Sequence, residues 1–389
     1  MSKVRIIDGR LTIGIPPMVK RSALPGFKIS RAVGVGDWLF TGGQMDYGED
    51  AKVCNPHDLV AQTVSSMRSV YELMAKTGRS LSHLAQVQVF YLDGSVPDER
   101  ALRQMIVDEF PECRDVLLVM TRVASFATVG SEVEIDAIAV SGPANRSLHR
   151  SGDVRAVRRG DWIFASSRVA ADAEDAVADL RDALGDLGGG LADVCRLYAY
   201  YPADLGEAGL QAIEGKLADA FHDIRPAFHA TLLPRSTKSD FAVELEVVAN
   251  ANPAAEKLRF GRATPRASSP DWPFAQVVRC GEVVFCSGQF PVDAAGAVSG
   301  SPDSAEQARV IMRRLGEALG EAGARLADLA KLKTYYVGGW DRANWERNLT
   351  ARMESLSDPG PASAGLDGLL PVMAGALLSV DGIAVLTSG

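Results

Sequence analysis

Apolar and polar residues alternate in three stretches of closely similar pattern. The stretches are SRAVGVGDWLFTGGQM from Ser30, VRAVRRGDWIFASSRV from Val154 and AQVVRCGEVVFCSGQF from Ala275. In each, a glycine and an acidic residue separate two runs rich in Val, Ile, Phe and Trp, which is the signature of a β-hairpin. The sequence therefore predicts the same hairpin at three points along the chain.

A helical pattern follows each hairpin. Apolar residues recur at spacings of three and four, as in a helix packed on one face, and a glycine that suits a left-handed cap comes after the helix. A strand, a shorter helix and a closing strand complete the pattern. The long helices begin near Leu59, Ala176 and Ala305, and the closing strands read VEIDAIAV from Val133, VELEVVAN from Val243 and LSVDGIAV from Leu378.

Polar, proline-containing stretches lie between the copies, and they indicate linkers. We predict domain boundaries there, which divides the chain into residues 1–145, 146–252 and 253–389. The sheet of one copy has one face covered by its own helices and a second face that needs a partner. Since strands such as LAQVQVFY from Leu84 are apolar on both faces, we expect the copies to pack into a closed ring about a pseudo-threefold axis rather than stand apart.

The order of hairpin, helix, strand, helix and strands, together with PFAQVVRCGEVVFCSGQF from Pro273, resembles the Rid superfamily of reactive-intermediate deaminases, also called the YjgF-like family. The resemblance covers nearly the whole chain, three times over. It implies a chorismate-mutase-like α+β fold in which the family's homotrimer is fused into an intramolecular pseudo-trimer, with sheets inside and helices outside. The implied activity is that of a hydrolase: a small imine or enamine, such as a 2-imino acid, is converted in an inter-domain cleft to a carbonyl compound and ammonia, without metal or cofactor.

In that family an aromatic residue and a Ser-Gly pair form the lip of the cleft. The resemblance places Phe274, Ser287 and Gly288 at these positions in the third copy and makes them candidate substrate-binding residues. Ser287 is equally well interpreted as a serine that caps a turn at the end of a strand. The corresponding residues are Ile29, Gly42 and Gly43 in the first copy and Asp153, Ser166 and Ser167 in the second.

A family glutamate that orients the attacking water corresponds to Glu134 in the first copy and Glu244 in the second, whereas the third copy has Ser379 there. Both glutamates are therefore candidate catalytic residues. The alternative for each is an acidic side chain that alternates with apolar ones and faces solvent.

The family arginine that holds the substrate carboxylate in a bidentate contact is the least well matched feature. Phe228 and Ser363 replace it in the second and third copies. The first copy allows two alignments, and one arginine of the second copy is a possible substitute from a shifted position. The candidates are Arg114 as a catalytic residue in one alignment, Val119 or Met120 beside the binding candidate Arg122 in the other, and Arg225 or Arg235 as substitutes.

Two further positions carry candidate chemistry. A ligand-contacting asparagine of the family corresponds to Asn348, for which a place on the helix surface is the alternative. Among the five histidines, only His229, next to Phe228, is placed as a general base, and a surface histidine is the alternative. The residues that correspond to Asn348 in the other copies are Arg103 or Gln104, and Glu214.

Divergence of the copies has a physical consequence. The lip, the acid and the cation of one cleft can come from different copies, so we expect one working cleft, or two at most, and side chains filling the others. In a working cleft, Ser287 and the Gly288 amide would bind developing negative charge. Two alternatives stay open: a small-molecule binding protein that has lost the chemistry, and an enzyme of a specialised pathway in which Phe228 and Met120 favour a larger or aromatic substrate.

Composition narrows the class of protein. Apolar residues make up 47% and charged residues 23%, as in ordinary folded domains. The net charge of −8 and the lack of basic runs argue against a nucleic-acid partner, and no stretch approaches the roughly 20 apolar residues of a membrane-spanning helix. We expect a small anionic metabolite as the partner, a cytoplasmic location and a monomeric pseudo-trimer, with dimerisation left open.

The five cysteines form no C-x-x-C pair and lie mostly in apolar runs, so we interpret them as reduced core thiols. Cys280 and Cys286 are separated by a hairpin turn and are not predicted to bind metal. The sequence also lacks the motifs of serine hydrolases, P-loop proteins and zinc proteases.

Overall fold

The same order of elements occurs three times in the computed structural model. We name these parts segment 1 (residues 4–140), segment 2 (146–250) and segment 3 (257–385). Two candidate positions, Asp153 and Arg235, lie outside the described residues. The structure describes residues 4–15, 27–48, 50, 52–95, 98–142, 146–149, 154–169, 172–234, 242–264, 272–293, 295–300 and 302–387.

Segment 1 contains the first predicted hairpin, which turns at Gly36 with a φ of 53°. Glycine adopts this left-handed conformation without strain because it has no Cβ atom. The long helix begins after Asp58, whose carboxylate accepts a hydrogen bond from the Ala61 amide. The elements are β1 (Val4–Ile7), β2 (Arg10–Gly14), β3 (Ser30–Val35), β4 (Trp38–Thr41), α1 (Leu59–Lys76), β5 (Leu84–Leu92), α2 (Glu99–Glu109), β6 (Leu117–Val123) and β7 (Val133–Val140).

Segment 2 follows the same order. Its long helix begins after Asp172, whose carboxylate accepts a hydrogen bond from the Glu174 amide. The elements are β8 (Arg146–His149), β9 (Arg155–Arg159), β10 (Trp162–Val169), α3 (Ala173–Asp186), β11 (Val194–Pro202), α4 (Gly206–Ala220), β12 (Ala227–Leu233) and β13 (Val243–Asn250).

Segment 3 adds one short strand to this order. Its long helix begins after Asp303, which caps the Ala305 amide in the same way. The elements are β14 (Lys257–Phe260), β15 (Val277–Cys280), β16 (Val283–Cys286), α5 (Ser304–Glu321), β17 (Leu329–Tyr336), α6 (Arg342–Glu354), β18 (Ala362–Asp367), β19 (Leu370–Pro371) and β20 (Leu378–Val385).

Strand pairing connects the segments. A 13-stranded sheet combines segments 1 and 3 in the order β14-β15-β16-β20-β17-β18-β3-β4-β7-β5-β6, with β2 pairing to β3 and β1 to β2. Its link is the parallel pair of β18 and β3, at Ala362 and Ser30. A 7-stranded sheet has the order β19-β12-β11-β13-β10-β9-β8, so that β19 of segment 3 extends the sheet of segment 2.

The helices of each segment cover one face of its own strands, and the opposite faces meet in a central cluster. This cluster takes residues from all three segments, including Phe40, Phe164 and Phe285. The rings of Trp38 and Trp162 lie 4.8 Å apart, and those of Trp162 and Phe285 lie 5.8 Å apart. The predicted mixed α+β fold is confirmed, and the segments pack on one another through aromatic and aliphatic side chains.

Candidate functional site

The closing strands carry acidic or hydroxyl side chains at matching positions. Register pairs β5 with β7 at Gln88 and Asp136, β11 with β13 at Tyr198 and Glu246, and β17 with β20 at Lys333 and Asp381. Two residues earlier, on the same face of each closing strand, lie Glu134, Glu244 and Ser379. All six residues of the two positions on the closing strands are buried.

Each of these strands is contacted from a different neighbouring segment. Asp136 of segment 1 accepts from Lys331 of segment 3 at 2.8 Å. Asp381 of segment 3 accepts from Arg196 of segment 2 at 2.8 Å. Glu246 of segment 2 accepts from Gln86 and Gln88 of segment 1 at 2.8 and 3.1 Å. The three junctions between segments therefore follow one another in a cycle.

The junction between segments 3 and 1, which we name the open junction, forms where the edge of β18 meets Gly42 and Gly43. The Gly43 amide donates to the Ser363 carbonyl at 3.1 Å. A Cβ atom at Gly43 would overlap the carboxyl group of Glu134, so glycine is what allows this approach. From the other side, the Gly365 amide donates a hydrogen bond to the Glu134 carboxyl.

The rim of the open junction is partly exposed to solvent, whereas its acid is not. Gly43, Tyr47, Trp345 and Gly365 are half-buried, and Glu134 is only 5% exposed. A Cβ atom at Gly365 would lie 3.3 Å from the Trp345 indole nitrogen, so the Trp345 ring stands directly beside the strand edge. The edge of β18 at Gly365 therefore has a half-buried aromatic ring on one side and a buried carboxyl group at its amide.

Burial raises the pKa of Glu134 to about 8, and the neighbouring charge of Asp136 acts in the same direction. The positive charges of Lys331 and Lys333 and the Gly365 amide lower it by less. Glu134 is therefore predominantly protonated at neutral pH, and a carboxylic acid in this state can donate a proton.

One face of α6 carries a buried cation, Arg352, whose charge and that of Glu134 both act on the pKa of Tyr336. Arg342, Trp345, Asn348 and Arg352 follow one another at spacings of three and four. Arg342 donates to Thr128 of segment 1 at 3.4 Å, which shows that this face is turned towards segment 1. The sequence prediction of Asn348 identified this helix face but missed Arg352, one turn further on.

Arg352 is 1% exposed and donates through one nitrogen to Asn348 Oδ1 at 2.9 Å. Within the described part of the chain, its Nε and Nη1 atoms have no hydrogen-bond partner. Burial lowers the pKa of Arg352 to about 10, so it remains a cation at neutral pH. A buried cation with unpaired N–H groups is suited to an anionic ligand.

The junction between segments 1 and 2, the arginine junction, is closed by Arg168. This side chain donates to Glu244 at 2.7 and 2.9 Å, to Glu99 at 2.8 and 2.9 Å and to the Met120 carbonyl at 2.8 Å. Burial opposes the charge of Arg168, but Glu244 and Glu99 outweigh it and raise its pKa. Arg103 adds a bond to the Leu118 carbonyl at 2.5 Å. The acid at this junction is occupied by the protein itself.

The junction between segments 2 and 3, the aromatic junction, contains the predicted lip residues. The rings of Phe228 and Phe274 stack at 4.3 Å, with Trp272 against both. Ser287 Oγ accepts from the Phe228 amide at 2.7 Å and donates to the Ala275 carbonyl at 2.6 Å. Phe274, Ser287 and Phe228 are buried. The contacts of Ser287 join the end of β16 to Phe228 of segment 2 and to Ala275 instead of capping a turn, and its role in substrate binding stays a prediction.

A Ser-His-Asp chain lies behind the same lip. His229 Nδ1 contacts Asp381 at 2.9 Å, and its Nε2 contacts Ser379 Oγ at 3.0 Å. A Cβ atom at Gly288 would overlap the His229 ring. All three residues of the chain are at most 2% exposed, and burial lowers the pKa of His229. The order of groups resembles a catalytic triad, but its burial favours a structural role.

The predicted arginines lie away from Glu134. Arg114 is exposed in a short helical turn over Pro111–Asp115, before β6. Arg122 follows Leu118 and Met120 by alternation on the helix-covered face of the sheet, opposite to the face of Glu134. Arg225 donates to the Pro273 and Gly261 carbonyls at 3.1 and 2.9 Å, so it joins segments 2 and 3.

Strand register also identifies the first-copy position that corresponds to the family arginine. Ser363 pairs with Leu332, Phe228 with Leu197 and Leu118 with Val87. Leu332, Leu197 and Val87 each lie one residue before the matched positions Lys333, Tyr198 and Gln88. The position is thus Leu118, which neither sequence alignment selected. A physical reason is that the helical turn before β6 differs in length from the corresponding loops, so residue counting misplaces the strand.

Among the residues that the structure describes, no group of three or more His, Cys, Asp and Glu side chains is arranged to hold a metal ion. Among the helices of the same residues, none is long and apolar enough to cross a membrane.

The sequence matches the model of the Endoribonuclease L-PSP family over residues 21–141 and 264–367, which together exceed half of the chain. Among curated proteins, a RutC family protein of Pyrococcus abyssi is 32% identical over 72 residues, which are 18% of this chain and 57% of that protein. Protein mmf1, mitochondrial, of Schizosaccharomyces pombe is 32% identical over 99 residues, 25% of this chain and 57% of that protein. The chain thus spans little more than half the length of these relatives.

Solved structures give likenesses at two scales. A crystal structure of a chorismatase has a TM-score of 0.55 at 15% identity and covers 78% of this chain and 93% of its own, a likeness of fold alone. A putative endoribonuclease L-PSP from Entamoeba histolytica is 26% identical with a TM-score of 0.28, over 34% of this chain and 100% of its own. A member of the YjgF/YER057c/UK114 family from Mycobacterium tuberculosis is 21% identical with a TM-score of 0.26, over 34% and 98%.

The family matches fall on parts of segments 1 and 3, and all of segment 2 lies between them. The predicted resemblance to YjgF-like proteins is therefore confirmed for those two segments, and that segment 2 is a third copy stays a prediction. On the extent of the match, the protein belongs to the Endoribonuclease L-PSP family.

Proposed function

We propose that the protein is a hydrolase that deaminates a small, carboxylate-bearing imine or enamine at the open junction. In this proposal the three segments are diverged copies of one domain, arranged as an intramolecular pseudo-trimer. The cyclic order of contacts made by Asp136, Asp381 and Glu246 supports that arrangement. Family membership supports a deaminase-like or small-molecule-binding role.

The observation that carries the proposal is the environment of Glu134. Its carboxyl group is buried beneath a partly exposed rim and faces the glycine backbone of Gly43 instead of a cationic side chain. Burial holds it in the protonated form at neutral pH. An acid in this state suits a reaction that begins with protonation of a C=N or C=C–N group.

The reaction replaces a C=N bond by a C=O bond. Glu134 gives its proton to the imine nitrogen or, in an enamine, to the β-carbon, which makes the substrate carbon electrophilic. Water adds to that carbon while the Glu134 carboxylate takes up one of the protons of the water molecule. In the carbinolamine, Glu134 returns the proton to the nitrogen and the C–N bond breaks to release ammonia. The hydroxyl group gives its proton to the Glu134 carboxylate as the C=O bond forms, which restores the protonated acid.

Arg352 and Asn348 are assigned to the substrate carboxylate. The unpaired N–H groups of Arg352 within the described chain and its full burial support this role, because a desolvated carboxylate pairs best with a guanidinium. The Trp345 ring would form the wall against which a planar substrate lies. Arg352 would thus replace the arginine that Leu118, Phe228 and Ser363 lack.

The test is ammonia release from 2-iminopropionate generated in situ by an amino-acid oxidase. We expect the wild-type protein to release ammonia faster than the buffer control and Glu134→Gln to fall to the level of that control. A wild-type rate equal to the control would contradict the deaminase proposal. Binding of 2-oxobutyrate without turnover of 2-iminopropionate would instead identify a small-molecule binding protein. This alternative is favoured by the loss of the family arginine from all three matched positions.

A further inference from the structure

Two of the five cysteines meet at the contact between segments 2 and 3. Cys195 lies in β11 and Cys280 ends β15, and both belong to the central cluster. Cys195 Sγ donates to the Asp193 carbonyl at 3.6 Å, and Asp193 pairs with Lys257, the cross-strand partner of Cys280. The two thiols also act on each other's pKa, raising that of Cys195 and lowering that of Cys280. Both side chains are buried, and Cys280 is adjacent to the surface turn at Gly281 and Glu282.

The backbone at Cys195 is irregular. The pairing of β11 with β13 shifts register between Val194 and Arg196, so Cys195 is the extra residue of a bulge. A bulge re-aims the side chain of its extra residue away from the regular ladder. Here the redirected side chain is that of Cys195, which lies in the central cluster with Cys280 of the next segment.

Comparison with the other two junctions shows that this pairing is specific. Bulges occur at the matching Ala85 of β5 and Ala330 of β17. The residue before the hairpin turn, matching Cys280, is Arg159 in segment 2 and Val35 in segment 1. Arg159 donates to the Leu84 carbonyl, and Val35 lies with Ala330 in the central cluster. Of these three contacts between segments, the one between segments 2 and 3 has a cysteine at both matching positions.

The surroundings of Cys280 favour its thiolate. Lys257 is its direct cross-strand partner on β14. The neighbouring Cys195 thiol lowers the pKa of Cys280, and the charges of Lys257 and Arg259 act in the same direction against burial. Lys257 also forms an ion pair with Asp193 at 3.2 Å. Arg259 is the second cation near the Cys280 sulfur. A thiolate beside cations is the attacking form in thiol oxidation.

We propose that Cys195 and Cys280 form a redox-active pair that closes to a disulfide between segments 2 and 3. With a hydroperoxide as oxidant, the Cys280 thiolate attacks the O–O bond, gives a sulfenic acid and releases water or an alcohol. The Cys195 thiol then attacks that sulfur, so the S–O bond breaks, an S–S bond forms and water leaves. The two thiols lose two electrons and two hydrogens in total, and the peroxide is reduced.

The experiment treats the folded full-length protein with substoichiometric hydrogen peroxide and reads intact mass and a non-reducing peptide map. We expect a loss of two hydrogens, one cross-linked peptide joining Cys195 to Cys280, and reversal by dithiothreitol. Cys195→Ala is the matched variant, because alanine stands at this place in the other two segments. It should abolish the cross-link and leave a sulfenic acid at Cys280 that dimedone traps.

Cys54 supplies the control, because it is exposed and lies far from the pair in the fold. Cys54→Ser should form the cross-link at the wild-type rate. Oxygen addition at Cys54 with Cys195 and Cys280 recovered as free thiols would overturn the proposal, as would a cross-link that joins other cysteines. Since no step involves the open junction, this result is independent of the deaminase assay.

Discussion

The open junction and the arginine junction place the same residue type in opposite situations. Glu134 and Glu244 occupy matching positions on β7 and β13. Glu244 is held at 2.7 Å by Arg168, which also binds Glu99, whereas Glu134 contacts glycine backbone. A buried carboxylate paired with a cation contributes to holding the fold together. Burial raises the pKa of both carboxyl groups, to about 8 for Glu134 and to about 7 for Glu244. The difference between them is therefore the ion pair with Arg168 that occupies Glu244.

The aromatic junction is a third outcome at the same place. Stacked Phe228 and Phe274 fill it, and a Ser379 hydroxyl stands where the other two junctions have a carboxyl group. In a symmetric trimer all three sites would be the same. In the proposed pseudo-trimer each junction could change alone. Here one junction is closed by an ion pair, one by aromatic packing, and one has a half-exposed rim.

The largest expected effect separates the two glutamates by activity. Glu134→Gln should lower kcat about 100-fold or more, the usual scale for loss of a general acid. Glu244→Gln should stay within about twofold of the wild-type protein, because its junction is closed by Arg168. Ammonia release under saturating substrate measures both. Equal losses in the two variants would contradict the distinction between the junctions.

The free energy of unfolding should depend more on Arg168 than on Arg352. Arg168→Met leaves Glu244 without its cation and Glu99 with Arg103 alone, and it should lower the free energy of unfolding by about 3 kcal/mol. Arg352→Met removes a cation that has no carboxylate partner in the described chain, and we expect a change within about 1 kcal/mol. Urea unfolding of both variants gives the comparison. A double variant of Arg168→Met with Glu244→Gln should recover part of the loss, and full additivity would argue against a coupled pair.

Substrate binding should depend on Arg352. Arg352→Gln should raise KM by about 10-fold to 100-fold, the range for a hydrogen bond to a charged group. The effect should disappear for a substrate analogue in which an amide replaces the carboxylate. Arg114→Gln, in an exposed turn, is the matched control and should leave KM unchanged. If Arg114→Gln changed KM and Arg352→Gln did not, the carboxylate-binding role would belong to Arg114, the candidate from the sequence.

The smallest expected effect concerns pH. The folded protein holds the Glu134 proton up to about pH 8, whereas an unfolded chain releases it near its ordinary pKa. The folded state thus binds more protons in between, so stability falls as pH rises through this window. Relative to Glu134→Gln, the wild-type protein should lose on the order of 2 kcal/mol between pH 5 and pH 8. Parallel stability curves for both proteins would contradict the raised pKa.

Local patterns in the sequence predicted most of the secondary structure. The three hairpins, the long helices and the closing strands lie where alternation, helical spacing and glycine placed them, as at Gly36 and Gly281. The reason is that these signals depend on a few neighbouring residues. Cys195, Cys280 and Cys286 are in the core as predicted, and Cys54 is exposed.

The candidate site was predictable only in part. Glu134 and Asn348 were identified from their places on a strand and a helix. Which junction stays open depends on Arg168 and on the stacking of Phe228 with Phe274, contacts between residues tens of positions apart. The proposed role of Arg352 in binding the substrate carboxylate depends on its burial, which a single sequence does not reveal. Long-range packing of this kind decides the site, and periodicity carries no signal for it.

The most direct test of the account is a crystal of the wild-type protein soaked with 2-oxobutyrate. The account predicts one bound ligand at the open junction, with its carboxylate in hydrogen-bond distance of the Arg352 guanidinium and its carbonyl group facing Glu134. Ligand bound instead at the arginine or the aromatic junction, with the open junction free, would contradict it.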